Sequence, residues 1–369
     1  MSKATETVLE IDLRALEHNY LYLKGRLRPE TGFLGVVKAF AYGSDSIIIA
    51  KKLEALGVDY LAVAYAKEGV VLRDAGIRTP ILVLHPLPVN FDEMIECCLE
   101  PSLYSQKILE GFLEAAKRKV QKDYPVHLKF NTGLNRLGFV GSDVDYLAAQ
   151  LNGREELKVA SILSHLAASE DLNEKAFTQN QIEAFEKISV KIHKKLDARP
   201  FRHLLNTSGI INNPEAQYDM VRSGIGLYGF GNDVKIDKQL RPVATLKTVI
   251  SQIHSIAPGE SIGYNRAFVT HSPRVTATLP IGHADGIGRQ YGNGKAHVTI
   301  RGNKAPIVGN VCMDMIMVDI TDIDCQEGDE VIIFGGNHTA NEFARDAATI
   351  SYELLTGISQ RVKRKILSE

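Results

Sequence analysis

The alternation of short β-rich runs with helix-like stretches between residues 32 and 230 constrains this chain more than any other feature. GFLGVVKA is followed by SIIIAKKLEALG, YLAVA by AKEGVVLRDAG, and PILVLH by VNFDEMIECCLE. YPVHLKF, LKVASILSHL and RHLLNTSG come next, the last two separated by EKAFTQNQIEAFEKISVKIHKKL, and MVRSGIGLYG closes the series. Strands that are nearly continuous apolar runs, interrupted by helices, pack as parallel strands covered on both faces. With PSLYS as the weakest member, the strand candidates number about eight, which fits a closed (β/α)8 barrel better than an open doubly wound sheet. No GxGxxG follows the first strand, which weakens a dinucleotide-binding alternative.

The period changes near residue 240. PVATLKTVISQIHSI, RVTATLPIG, KAHVTIRG, KAPIVG, MIMVDIT and DEVIIFG are short runs parted by Gly, Pro, Asn and Asp, with no long helix between them. They predict a mostly antiparallel β domain followed by a helical stretch, TANEFARDAATI. The polar GNDVKIDKQLRP marks the boundary. The expected division is a barrel over 8–235 and a β domain over 236–369, with residues 1–7 a candidate to pack on the second.

Composition narrows the function classes. Of 369 residues, 43 are basic and 44 acidic, so no overall charge favours nucleic acid or a membrane surface. No window approaches the length of a membrane span, and MSKATETVLEIDL lacks the apolar stretch of a signal peptide. Cys97, Cys98, Cys312 and Cys325 lack metal-type spacing and are read as reduced thiols of a cytoplasmic protein. His18, His193, His254, His271, His297 and His338 show no H-x-x-H or His/Asp pattern, so no metal is expected.

Chemistry in a parallel barrel collects at the C-terminal ends of the strands, and these ends are unusually polar. They carry Lys38 and Tyr42, then His85, then Lys129, Asn131 and Arg136, and finally His165, Asn206 with Ser208, and Arg222. NTSGI and RSGIG follow the last two strands; they are either tight turns or loops offering N–H groups and a hydroxyl to a phosphate. Lys38 is either an ion-pair partner at the edge of the core or an amine made less basic by its surroundings and able to form a Schiff base. A phosphate cradle and a Schiff-base lysine in one barrel together suggest pyridoxal 5'-phosphate (PLP).

The sequence resembles the PLP-dependent alanine racemases, in which an N-terminal (β/α)8 barrel precedes a C-terminal β domain. VVKAFAYG is similar to that family's cofactor-lysine motif, and LKFNTGLNRLGF to its K-x-D-T-G-x-x-R-x-G segment. LSHLA, HLLNTSG, MVRSGIGLYG, SIGYNRAF, IGHADGIGR, VGNVCMDMIMVD and YELLTGISQRVKR match further motifs in order, so the resemblance runs from residue 8 to about 364. It implies that Lys38 is the Schiff-base lysine and one acid/base, and Tyr264 the other, reaching in from a partner subunit. Tyr42, Ser208, Gly224, Ile225 and Tyr352 correspond to the phosphate-binding set. Arg222 corresponds to the arginine facing the pyridine nitrogen, with His165 beside it. Arg136 and Met313, the latter from the partner, correspond to substrate-carboxylate contacts, and Lys129 to a lysine carbamylated in some members. The implied assembly is a head-to-tail homodimer with shared sites acting on a small amino acid.

Racemisation needs a proton removed from one face of Cα and another delivered to the opposite face. Two fixed bases avoid the motion that a single swinging base would require. Lysine and tyrosine both titrate near 10 in water, so the resting site must bring at least one of them down. Besides Phe40, which stands where asparagine is usual, four residues depart from the family pattern: Ser44, His85, Asn131 and His283 stand where histidine, glycine, aspartate and tyrosine are usual. They bear on substrate preference and hydration more than on reaction class. The rivals are a related PLP amino-acid decarboxylase or broader racemase, a single-domain PLP-binding protein, and a non-catalytic module. Arg222 counts against the decarboxylase, the lack of an export signal against the broader racemase, the β domain with Tyr264 against the single-domain protein, and the convergent polar strand ends against the module.

Overall fold

The computed structural model describes residues 4–367. Eight parallel strands close a barrel in chain order: β2 (Gly32–Val36), β3 (Tyr60–Val63), β4 (Ile81–Val83), β5 (Leu99–Leu103), β6 (Tyr124–Lys129), β7 (Leu157–Leu163), β8 (Phe201–His203) and β9 (Met220–Ser223). Closure is made by β2 on β9, with Gly32 opposite Met220 and Leu34 opposite Arg222. The expected (β/α)8 barrel is therefore present. Its weakest predicted member is β5, and the residues Leu99 and Glu100, read from the sequence as the end of a helix, are its first two. The preceding helix stops at Glu96, and the left-handed Cys98 (φ 52°) turns the chain into the strand.

The second domain is built on a nine-stranded sheet, with a separate two-stranded antiparallel hairpin of Ser261–Ile262 and Phe268–Val269. All its neighbours pair antiparallel except the outermost two strands, as the run-and-turn pattern after residue 240 predicts. It also takes in the start of the chain: β1 (Val8–Asp12) lies between Ala244–Val249 and the terminal strand Lys363–Leu367, parallel to the latter. Glu10, buried in β1, holds both neighbours, accepting from Lys247 at 2.9 Å and Lys365 at 3.1 Å. Burial alone would raise its pKa; the two ammonium groups outweigh that and leave it lowered. Asp12 then caps the helix Leu13–Lys24, accepting from the backbone N–H groups of Arg14 and Ala15. That helix buries Leu16, Tyr20 and Leu23 against the barrel, with Tyr20 edge-on to Phe33 of β2.

Before β1, the Ala4 N–H donates to Glu330 at 2.7 Å and the Thr7 hydroxyl to the carbonyl of Pro280, both in the second domain; residues 1–3 lie outside the described residues. The stretch after residue 338 forms two short helices, Ala340–Asp346 and Ser351–Gly357. The second brings Tyr352 to the mouth of the barrel. Among the described residues no helix is long and apolar enough to cross a membrane.

Candidate active site

A cavity of about 1030 Å³ opens at the C-terminal ends of the barrel strands. Twelve of the residues singled out in the sequence line it: Lys38, Tyr42, His85, Lys129, Arg136, His165, Asn206, Ser208, Arg222, Gly224, Ile225 and Tyr352. Tyr264 and Met313 do not. Both are exposed (69% and 59%).

Lys38 sits immediately after β2, where the chain does something rare. Ala39, Phe40, Ala41 and Tyr42 all have φ between 51° and 54° and Gly43 has φ 78°, a complete left-handed turn of L-residues. Such a conformation costs about 1–2 kcal/mol per residue, so the surroundings must over-determine it. Glu68 accepts from the N–H groups of Ala39 (2.6 Å) and Ala64 (2.7 Å). Arg364 donates to the carbonyls of Gly43 and Ser44 and lies over the Phe40 ring at 5.6 Å. At Gly43 a Cβ would stand 1.9 Å from the carbonyl oxygen of Leu355, so no side chain fits there. The turn delivers the Lys38 amine and the Tyr42 ring to the same cavity. Burial and then the positive field of Arg136 lower the Lys38 pKa, against a smaller opposing pull from Glu68.

Tyr42 stacks on Tyr228 at 4.5 Å, and Tyr352 lies 6.0 Å away. Asn232, which sequence reasoning did not single out, donates to both the Ser208 hydroxyl and the Tyr352 phenol at 3.3 Å. Its only sequence signal is a place in the polar turn after MVRSGIGLYG. The helix Thr207–Asn212 begins under Asn206, whose side-chain oxygen accepts from the Gly209 N–H as a cap at the cavity wall. Gly224 closes this side of the cavity.

Arg222, 5% exposed, is held by five neutral acceptors: the carbonyls of Ser164 (2.6 Å), His203 (3.0 Å) and Leu204 (3.0 Å), Nδ1 of His203 (2.9 Å) and Nδ1 of His165 (3.3 Å). Burial lowers its pKa to about 10, which leaves it protonated near neutrality. His165 and His203 are pushed well below the usual imidazole range, by burial and then by Arg222. Lys129, also buried, has its pKa lowered to about 8 by burial, Arg136, Arg222 and Lys38 in that order. Four cationic side chains thus converge, and the causes acting on Lys129 include no carboxylate.

The four departures have distinct surroundings. Asn131 accepts from the N–H groups of Gly133 and Asn135, closing the loop before Arg136 with its amide oxygen. His85 lines the cavity between the rings of Tyr65 and Tyr104. Ser44 is buried under the left-handed turn, and His283 opens a short turn whose backbone binds the carbonyls of Cys312 and Met313. Asn310 joins the loops of Tyr264 and Met313, donating to the Tyr264 carbonyl at 3.0 Å. These two exposed residues therefore share one region of the second domain.

The expectation that the histidines form no His/Asp cluster needs correction. His297, His338 and Asp346 meet within 4.8 Å, joined by tertiary packing that linear spacing does not register. The two rings lie face to face at 4.0 Å and 10°. Their in-plane lone pairs therefore run side by side instead of converging on one ion.

The lysine amine, the hydroxyls of Tyr42, Ser208 and Tyr352 around a glycine, and the arginine held over a barrel mouth together fit PLP: an amine for the aldehyde, donors for a phosphate, and a cation near the ring. Fold and site define a barrel-plus-β-domain PLP enzyme. Residues 11–231 match the family "Alanine racemase, N-terminal domain" and residues 243–366 "Alanine racemase, C-terminal domain". An alanine racemase of Thermodesulfovibrio yellowstonii is 39% identical, covering 98% of this chain and 97% of that one. The alanine racemase 2 of Caldanaerobacter subterraneus subsp. tengcongensis is 37% identical over 97% of this chain and 94% of its own. Among solved structures, the alanine racemase of Clostridium difficile superposes with a TM-score of 0.93 at 35% identity, covering 100% and 97% of the two chains. That of Bartonella henselae with covalently bound pyridoxal phosphate gives 0.90 at 31%, covering 99% and 100%. The chain belongs to the alanine racemase family, the two-domain PLP enzymes of fold type III.

Proposed function

We propose that the chain interconverts L- and D-alanine with PLP, by two bases acting on opposite faces of Cα. The enzyme is an amino-acid racemase that supplies D-alanine for bacterial peptidoglycan. The observation that carries the residue assignment is the placing of a Lys38 amine of lowered basicity in one cavity with a fully buried Arg222.

When bound, PLP withdraws electrons from the Cα–H bond of the attached amino acid. Lys38 holds the cofactor and serves as one acid/base; an amine of lowered pKa exists partly in the neutral form that can accept a proton. Tyr42, Ser208, Tyr352 and the backbone at Gly224 and Ile225 hold the phosphate. Arg222, with His165 beside it, would face the ring nitrogen. A guanidinium does not give up its proton, so it tempers the electron withdrawal that a carboxylate at this place would enhance. This restraint suits prompt return of a proton to Cα, and it counts against the decarboxylase reading. Arg136 holds the substrate carboxylate, and Lys129, as a carbamate, orients Arg136.

Tyr264 is the second acid/base and Met313 a further carboxylate contact, each supplied across a head-to-tail homodimer. Their exposure and common location support a role in a neighbouring subunit's site. The test is incubation of the purified protein with PLP and L-alanine, with D-alanine measured by chiral chromatography and L-serine and L-lysine run in parallel. D-alanine is the expected product. Absence of any D-product ends the racemase reading.

A further inference from the structure

The interior of a parallel barrel is ordinarily packed with branched apolar side chains. Here a file of polar groups crosses it. Nδ1 of His203 faces Arg222 at 2.9 Å, and its Nε2 lies 2.9 Å from the Ser161 hydroxyl. Ser161 lies 2.6 Å from Nδ1 of His127, whose Nε2 lies 2.7 Å from a carboxylate oxygen of Glu100. His127, Ser161 and His203 are fully buried, and Glu100 is 8% exposed. The file runs from Glu100, near the start of β5, through β6, β7 and β8 to Arg222 on β9.

The two ends fix the protons between them. A guanidinium only donates and an ionised carboxylate only accepts. His203 therefore offers a bare Nδ1 to Arg222 and carries its proton on Nε2, which donates to Ser161. The serine has one proton and passes it to Nδ1 of His127. His127 then carries its own proton on Nε2 and donates it to Glu100. With both imidazoles neutral, this arrangement alone gives every link one donor and one acceptor. It also gives the buried Arg222, whose direct partners are all neutral, a carboxylate at the far end of a continuous chain of hydrogen bonds.

We propose that Glu100 and His127 are positioning residues for Arg222, fixing the tautomer of His203 so that it presents a lone pair to the guanidinium. The importance of Arg222 here rests on the racemase reading; the tautomers do not. Tyr60, Arg73 and Tyr124 also meet Glu100, Tyr60 through a side-chain hydrogen bond as well as its field, and none of them stands between Glu100 and His127.

Nitrogen NMR of the holoenzyme labelled at histidine reads the tautomers directly. The expected result is protonated Nε2 and bare Nδ1 on both His127 and His203. A proton on Nδ1 of either ring, or on both nitrogens of His127, overturns the proposal. Glu100→Gln and His127→Phe should lower kcat for alanine by about threefold to thirtyfold while KM changes by less than about twofold. They should also shift the visible absorption of bound PLP, with Glu100→Asp restoring part of both. Ser161→Ala cuts the same file with a smaller change in volume, should His127→Phe fail to fold. Folded variants with wild-type kcat and absorption overturn the proposal even if the wild type racemises alanine. A wild type without racemase activity would instead remove the function reading and leave the tautomer result standing.

Discussion

The phenol oxygen of Tyr42 lies 2.2 Å from the point where a Cβ on residue 224 would stand, so the absence of a side chain at Gly224 is what lets Tyr42 reach the cavity wall. Neither the ring, stacked on Tyr228, nor the left-handed turn that carries it has room to retreat. Gly224→Ala should displace the phenol. Overpacking of this kind costs about 1–3 kcal/mol, and as far as the phenol gives way at its cofactor contact, PLP affinity weakens by about fivefold to 150-fold. Titration of the apoprotein with PLP, followed by absorbance, measures it. Unchanged affinity would mean that Tyr42 contributes nothing to holding the phosphate.

Lys38 should carry the cofactor covalently. Borohydride reduction of the holoenzyme followed by peptide mapping is expected to place the adduct on Lys38, and Lys38→Ala should abolish both the adduct and racemisation. An adduct confined to Lys129, the second lysine of the cavity, would reassign the two.

Much of this arrangement is visible in the sequence because it depends on strand order. The ends of β2, β6, β7, β8 and β9 follow directly from the apolar runs, and a barrel brings those ends together whatever the details. Other features depend on packing that linear spacing does not encode. Asn232 comes to Tyr352 only because the second domain folds back over the barrel mouth. The clamp of Glu68 and Arg364 on the left-handed turn joins residues far apart in the chain. β1 gives no sign in its own five residues that it will pair with the last strand; VLEID reads equally well as the start of a barrel. The polar file inside the barrel is hidden for a different reason. Its histidines sit within apolar runs such as YPVHLKF, where they resemble single interruptions until the register of neighbouring strands lines them up.

Lys129 should make stability depend on pH. Its pKa falls from 10.5 in the unfolded chain to about 8 in the fold, so between those values the unfolded state binds more protons and stability rises with pH. As pH falls from about 10.5 to about 8 the fold loses about 3 kcal/mol, and below about 8 the loss is complete. In CO2-free buffer, Lys129→Met should lose this dependence while the wild type keeps it, as read by denaturant unfolding across that range. Carbamate formation needs the neutral amine and turns a buried cation into an anion facing Arg136. Dissolved CO2 should therefore stabilise the wild type near pH 8 and leave Lys129→Met unaffected. Carbon NMR with labelled CO2 should show the adduct, and no signal at Lys129 would retain it as a simple amine.

If Tyr264 and Met313 act across an interface, each active site draws its bases from two chains. Lys38→Ala and Tyr264→Phe protomers, each inactive alone, should then regain activity when mixed. A heterodimer has one site with both bases intact and one with neither. Failure to complement at every ratio, with subunit exchange confirmed by mass, would place both bases in one chain.

The sharpest test concerns direction. With Lys38 and Tyr264 on opposite faces of Cα, Tyr264→Phe removes the base for one enantiomer and leaves the base for the other. Loss of a positioned acid/base typically costs about 10²- to 10⁴-fold in rate. Racemisation should fall in both directions, since each full turnover needs both groups. Proton exchange alone needs only one of them. The resemblance to the family assigns D-alanine to Lys38 and L-alanine to Tyr264, so the variant, incubated in deuterated water, should wash deuterium into D-alanine much faster than into L-alanine. A Tyr264 that only packs against the site would instead slow both exchanges by similar factors. Mass spectrometry of the two enantiomers after chiral separation decides between these outcomes, and equal slowing would remove Tyr264 from the catalytic pair.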